Sequence, residues 1–296
     1  VTRKGKENLT AYLFLSPILL FFAVFFCFAV GFSVLISFKN WNMLDSPISA
    51  PFVGLGNYVS LFTDPLFRAG LLNTIVFALV VTFASITLAL LVALALYKLK
   101  GSAVWRFIFF APMITPAVAV GKIWSYLYNP SYGVVNHVLG WFNIPARAWL
   151  SDPNLALFSI MIVAIWSGLG VPMLIFTAGL DSIPTSYYDA ARIDGSSKIR
   201  TFFSITLPLL KPTTLFLLVT GMINAWQTFD LIYIMGGAAP ASSTQLVSTF
   251  MYNTAFSYMQ MGKALAASVI LFVISLITTL LALRSFRTGG MESYYA

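Results

Sequence analysis

Apolar residues fall in six long runs, roughly 12–38, 71–97, 107–128, 155–180, 212–234 and 264–283. Each reaches the ~20 residues that a helix needs to cross a hydrocarbon core. Barrel strands alternate apolar and polar positions and never give such unbroken runs. The pattern therefore predicts an all-α integral membrane bundle of six transmembrane helices, read as one membrane domain over 1–296 without a soluble appendage. The first run follows a polar, basic head (Arg3, Lys4, Lys6) and is too long for the apolar core of a cleaved signal, so it is read as a true span. An even number of spans puts both termini on one side.

Composition supports lipid as the main solvent. Hydrophobic residues make up 59% of the chain against 9% charged, where soluble domains carry about 25% charge, and the mean hydropathy is +0.88. The net charge of +8 would raise nucleic acid as a partner in a soluble chain. Here it sorts by topology. Twelve of the 17 basic residues fall in the two terminal segments, the 98–106 loop and the 181–211 segment; Lys39, Arg68, Arg147 and Lys263 fall on the opposite side, and Lys122 lies inside a run. This asymmetry predicts cytoplasmic termini and leaves no excess charge for nucleic acid to explain. The single Cys27 excludes an intramolecular disulfide and is expected to pack.

Between the fourth and fifth runs, 181–211 is the one long segment on the basic side. Ser186 with Asp189 resembles a capping box, Ala190 and Ala191 favour helix, Gly195 suits a left-handed stop, and Ser196 is placed to cap a second short helix carrying Ile199, Phe202 and Phe203 on one face. Pro208 is expected to end that helix and Pro212 to open the next span. Local physics fits both an amphipathic connector lying on the inner leaflet, its cations on lipid phosphates, and a docking site for a cytoplasmic partner.

The spacing favours docking. Asp189-Ala190-Ala191, three residues, Gly195, nine residues, then Ile205-Thr206-Leu207-Pro208 resembles the E-A-A-x3-G-x9-I-x-L-P loop of membrane subunits of binding-protein-dependent ABC importers, with Asp in place of Glu. Phe52-Val53-Gly54-Leu55-Gly56-Asn57-Tyr58, Asn129-Pro130 with Gly133, Ala255-Phe256, and Gly262 through Ser268 are similar to the first permease subunit of the maltose-type carbohydrate branch. The resemblance implies a type I importer permease whose 181–211 loop forms coupling helices seated on an ATPase. Asp189 would be the acidic contact, Gly195 the bend, and Ala190 and Ala191 the close-packing surface. Asp194, Ile205, Leu207 and Pro208 belong to the same implied segment. The implied partners are a second homologous permease, two ATPase subunits that bind ATP and Mg, and an extracytoplasmic solute-binding protein. This chain itself would hold no cofactor.

Ionisable residues inside spans are functional candidates. At about 1.5 Å rise per residue, Lys122 and Asp230 fall near the outer end at comparable depth. Either they pair or line an outer gate, or each snorkels separately. Trp166, Asn224 and Gln227 fall deeper, and Trp166 with Asn224 near the midplane, where an aromatic face and amides suit a sugar. Trp166 and Trp226 equally suit helix or lipid packing. By similarity to maltose-type permeases, sugar-facing positions fall on Met113, Ala117, Trp166, Leu169, Gly170, Gly221, Asn224, Ala225 and Thr228.

Several chemistries lack their residues. Gly121-Lys122 and Gly262-Lys263 are not followed by Ser or Thr, so the sequence holds no P-loop. The single His137 removes any multi-histidine metal site. Paired carboxylates for a proton-driven pump are missing from the runs. The expectation is a permease subunit of an ATP-driven sugar importer in a bacterial or archaeal cell membrane, doing no covalent chemistry. Glycerol phosphate or another polar solute is the alternative cargo, and an ATPase-independent secondary carrier the alternative class. A phosphate would want fixed positive charge in the path, and Lys122 alone offers it.

Overall fold

The computed structural model describes residues 3–238 and 240–287. The side chains of Arg3, Lys4, Lys6 and Arg287, counted above for topology, lie outside that description. Among the described residues the chain is helical, with one isolated bridge between Lys39 and Phe52 and no strand. Three helices are long and apolar enough to cross a membrane: α1 (Tyr12–Ser37), the 32-residue α3 (Pro65–Leu96), and the last, whose apolar stretch is Met261–Arg284. Three further bent pairs pass the same test when each is taken as one span, which makes six.

The chain divides into two compact units. In the first, Val1–Asp64 with Phe250–Leu271, α1 is exposed over residues 12–29 and buried only at Ile36 and Ser37, and Cys27, expected to pack, is exposed on it. Phenylalanines one turn apart stack along this helix, Phe21 on Phe25 and Phe22 on Phe26. The loop after α1 is fastened by hydrogen bonds. The Asn57 amide, on α2 (Gly56–Thr63), donates to the carbonyls of Ser37 at 2.8 Å and Lys39 at 2.9 Å. The Gly262 N–H donates to the Trp41 carbonyl at 3.1 Å. Lys263 pairs with Asp64 at 2.7 Å with both side chains largely covered. A Cβ on Gly262 would overlap the Lys39 carbonyl oxygen, so this close approach admits only glycine.

The second unit, Pro65–Thr249 with Phe272–Ala296, is built around α3. Its buried positions recur every three or four residues, from Phe67 and Gly70 through Thr74, Ala78, Thr82, Ile86 and Ala89 to Ala93 and Leu96. Small residues in this stripe let neighbouring helices approach closely, which is the usual source of cohesion between helices in lipid.

Proline breaks the three bent spans. The α4 helix (Ser102–Ile114) meets α5 (Ala117–Leu127) at 98°. Pro112 lies inside α4, Thr115 before Pro116 is extended, and Pro116 caps α5. A short helix, α6 (Val134–Trp141), follows in the connecting loop. Next, α7 (Ala156–Gly168) and α8 (Gly170–Asp181) meet at 45°, two residues before Pro172. After α9 (Thr185–Ile193), α10 (Lys198–Leu209) and α11 (Lys211–Trp226) meet at 62° between Pro208 and Pro212.

These bends correct the depth estimate for Lys122 and Asp230, because a rise of 1.5 Å per residue applies only along a straight axis. Lys122 lies beyond the 98° bend. Asp230 does not sit in the fifth span, whose helix stops at Trp226; it opens a separate helix, α12 (Asp230–Met235). Nearer the C-terminus, α13 (Val247–Tyr252) precedes α14 (Met261–Arg287).

Candidate functional site

The 181–211 segment forms two short helices joined at Gly195, with two changes to the expected caps. Pro184 stands at the N-cap of α9 and no side chain caps it, so Ser186 and Asp189 form no capping box. The second helix is capped by Ser197 and not Ser196; its Oγ accepts from the Arg200 N–H at 3.3 Å. At the C-terminus of α9, Gly195 has φ +71°. The Ser196 N–H donates to the Ala191 carbonyl at 2.9 Å, and the Gly195 N–H to that of Arg192 at 3.1 Å. This paired return is a Schellman motif, which needs a left-handed residue where Gly195 stands.

Asp189 is 61% exposed on its side chain and touches only Arg192, at 3.4 Å and itself 78% exposed. An exposed pair of this kind contributes about 0–0.5 kcal/mol. Asp189→Asn is accordingly expected to shift unfolding by less than about 0.5 kcal/mol, measured by thermal denaturation of the purified chain. The carboxylate thus stands free for a contact outside this chain. Ala191 packs inward at 6% exposure while Ala190 faces out, and Asp194 is exposed. Of the remaining positions, Ile205 and Leu207 are half-buried and Pro208 is exposed. Within the segment, the Tyr188 and Thr206 hydroxyls lie 3.3 Å apart.

A cavity of about 440 Å3 opens among α3, α7, α8 and α11, with Met113 of α4 and Leu231 of α12 also on its wall. Its polar groups are hydroxyls and one amide: Thr82, Ser85, Ser167, Thr220, Asn224 and Thr228. No charged side chain lines it. Most of these hydroxyls are spent on their own helices: Thr220 donates to Phe216 at 2.9 Å, Thr228 to Asn224 at 3.2 Å, and Ser167 to Ala164 at 3.2 Å. Thr82 and Ser85 are not, and the Thr82 Oγ1 is buried without a hydrogen-bond partner among the described residues. Across from it, a Cβ on Gly221 would meet the Thr82 methyl at 3.1 Å, so glycine lets α11 lie close to α3. A second cavity, of about 340 Å3, lies at the α4–α5 bend and shares Met113, Ser167, Gly168 and Leu231 with the first.

Met113, Gly221, Asn224, Ala225 and Thr228 come together on the larger cavity, and Ala117 lines the smaller. Trp166, Leu169, Gly170, Gln227, Lys122 and Asp230 line neither. Leu169 belongs to the buried core, and Gly170 is a close-packing position, where a Cβ would come within 2.9 Å of the Phe110 Cα. Trp166 stands edge-on to Trp124 at 5.4 Å and is 44% exposed, whereas Trp226 is buried. Lys122 and Asp230 are exposed, and among the described residues no ion pair joins them. Their helices meet through the preceding residue, Gly121, whose Cβ would lie 2.9 Å from Ile234. Thr82, Ser85, Ser167 and Thr220 were not expected in the site. Polar residues at i, i+4 and i+8 (Thr220, Asn224, Thr228) in the apolar run 212–234 are the signal that reveals this face.

Bent apolar spans around an uncharged, hydroxyl-lined cavity, with a solvent-facing two-helix segment at the basic end, define a multi-pass membrane permease. The comparisons sharpen this. The chain belongs to the family described as binding-protein-dependent transport system inner membrane component, which matches residues 85–285. It is 34% identical to the sulfoquinovosyl glycerol transport system permease protein SmoG of Agrobacterium fabrum, over 95% of this chain and 92% of that protein. It is also 34% identical to the trehalose/maltose transport system permease protein MalF of Thermococcus litoralis, over 95% of each. Its fold matches a chain of the bacterial alginate ABC transporter, solved in complex with an alginate pentasaccharide-bound periplasmic protein, with a TM-score of 0.82 over 97% of this chain and 98% of that one at 23% identity. The fold is that of a type I ABC importer permease.

Proposed function

We propose that this permease forms half of the transmembrane path for a neutral sugar, in a transporter completed by a second homologous permease, two ATPase subunits and an extracytoplasmic solute-binding protein. ATP and Mg are held by the ATPases. Both termini and the 181–211 segment face the cytoplasm of a bacterial or archaeal cell, a reading that the basic asymmetry supports. The observation that carries the cargo class is the cavity wall. It offers an amide, hydroxyls and apolar faces such as Phe77 and Phe216, and no fixed charge. A polyol ring is met by that combination, whereas a phosphate ester would be left without a counter-ion. The trehalose/maltose cargo named for MalF agrees with it. Access alternates as ATPase closure moves α9 and α10, and the bent spans carry that motion to the cavity.

Asn224→Leu keeps a similar volume and removes the one amide on the wall. It is expected to raise the substrate concentration for half-maximal uptake about tenfold, the loss of one to two hydrogen bonds, with maximal rate less affected. Uptake into proteoliposomes as a function of sugar concentration measures this. Transport by this chain without the ATPase, or with an inactivated one, would overturn the importer reading.

A further inference from the structure

A third cavity, of about 370 Å3, lies at the basic end of the second unit, between the C-terminus of α3, α8 and the 181–211 segment. We propose that it binds a phosphate group, as the headgroup of an anionic phospholipid or as a free phosphate. Lys98, directly after α3, and Arg192 and Lys198 of the 181–211 segment line it, and no carboxylate does. Of the acids beside it, Asp189 pairs with Arg192 in a long, exposed contact, and Asp181 follows the lining Leu180 and acts electrostatically on the Tyr97 hydroxyl.

The wall between the cations carries five hydroxyls. Those of Tyr188 and Thr206 lie 3.3 Å apart, Thr201 donates to Ser196 at 3.2 Å, and Tyr97 reaches the Leu180 carbonyl at 3.5 Å. Each retains further capacity for an oxyanion. Three cations with hydroxyl donors, and no carboxylate on the wall itself, are a donor set that suits a phosphate.

The backbone at Lys98 points the same way. Lys98 has φ +60° directly after α3, a position that glycine fills at lower cost. A lysine held there against its backbone preference is a mark of function. Its Nζ lies 5.1 Å from the centre of the Tyr97 ring, at the cavity. Leu94, Leu180 and Phe202 give the same cavity an apolar side on which the first methylenes of a lipid could rest. The inference is independent of the cargo.

The test uses the full chain purified from membranes with the subunits that accompany it, and reads thermal unfolding against added dioctanoyl phosphatidylglycerol, dioctanoyl phosphatidylcholine or inorganic phosphate. Phosphatidylglycerol is expected to raise the midpoint by a few degrees in a saturable manner, and phosphatidylcholine not to. An equal response to inorganic phosphate identifies a soluble ester as the occupant; its absence identifies lipid. Lys98→Gln with Lys198→Gln is expected to weaken the apparent affinity about twentyfold, or about fivefold per lysine. Lys98→Gly, which keeps the left-handed backbone and removes the charge, is expected to weaken it about fivefold. Lys100→Gln with Lys211→Gln removes the same charge outside the cavity and should leave the response intact. No saturable shift, an equal response to phosphatidylcholine, or an equal loss in the control pair would overturn the proposal.

Discussion

Replacing Gly195 with proline is expected to abolish uptake while the chain still inserts and ATP is still hydrolysed. Proline fixes φ near −65°, and Gly195 stands at +71°. The substitution also removes the N–H that returns to the Arg192 carbonyl. Both halves of the Schellman motif are lost, and α10 leaves α9 at a different angle. Nothing lies within 4 Å of a Cβ at this position, so packing inside the chain does not suffer. The effect separates coupling from folding. Uptake and ATPase rates measured on the same proteoliposomes should diverge by tenfold or more. Uptake at the normal rate would show that the angle between the two helices transmits nothing.

Gly262→Val should produce the largest loss of stability. The new Cβ would have to occupy the place of the Lys39 carbonyl oxygen, which belongs to the main chain and cannot swing away. The same carbonyl accepts from the Asn57 amide, and the Gly262 N–H is itself engaged on Trp41. Relieving the overlap therefore breaks the bonds that fasten the loop after α1. Overpacking costs 1–3 kcal/mol where side chains yield; with a rigid carbonyl, about 3 kcal/mol or more is expected. That corresponds to a fall of roughly 6–12 °C in the unfolding midpoint for a chain of this size. Thermal unfolding in detergent measures it, and a shift below about 2 °C would show that the loop relaxes freely.

The six apolar runs were legible because a span needs a fixed length of apolar chain whatever its shape. The bends were not, although Pro112, Pro116, Pro172, Pro208 and Pro212 stand in the sequence, since a proline in a long apolar run is compatible with a kink of any size. That is why the straight-axis reckoning for Lys122 and Asp230 does not carry over to bent spans, although the apolar runs themselves coincide with helices. Asn224 and Thr228 were recognisable as amide and hydroxyl inside an apolar helix. Thr82 was not. Threonines in spans ordinarily donate back one turn, as Thr74 does to Gly70 and Thr177 to Met173, and only the fold shows that Thr82 does not. At the coupling segment the spacing of Asp189 to Pro208 carried the assignment. The caps slipped because Pro184 can open a helix without a side-chain acceptor, and because Ser196 and Ser197 are chemically equivalent until the geometry chooses between them.

The break between α7 and α8 has a chemical side as well as a mechanical one. Pro172 has no N–H to give to the carbonyl four residues earlier, and that carbonyl belongs to Gly168, which lines both cavities. The residue that bends the span therefore also leaves a main-chain oxygen of a cavity-lining residue without that helical donor, able to accept a hydrogen bond from a hydroxyl group. A mutation that straightened this span by restoring the N–H would withdraw that oxygen at the same stroke. Flexure and affinity for a polyol are in this way written into one position, and neither can be tuned there without the other.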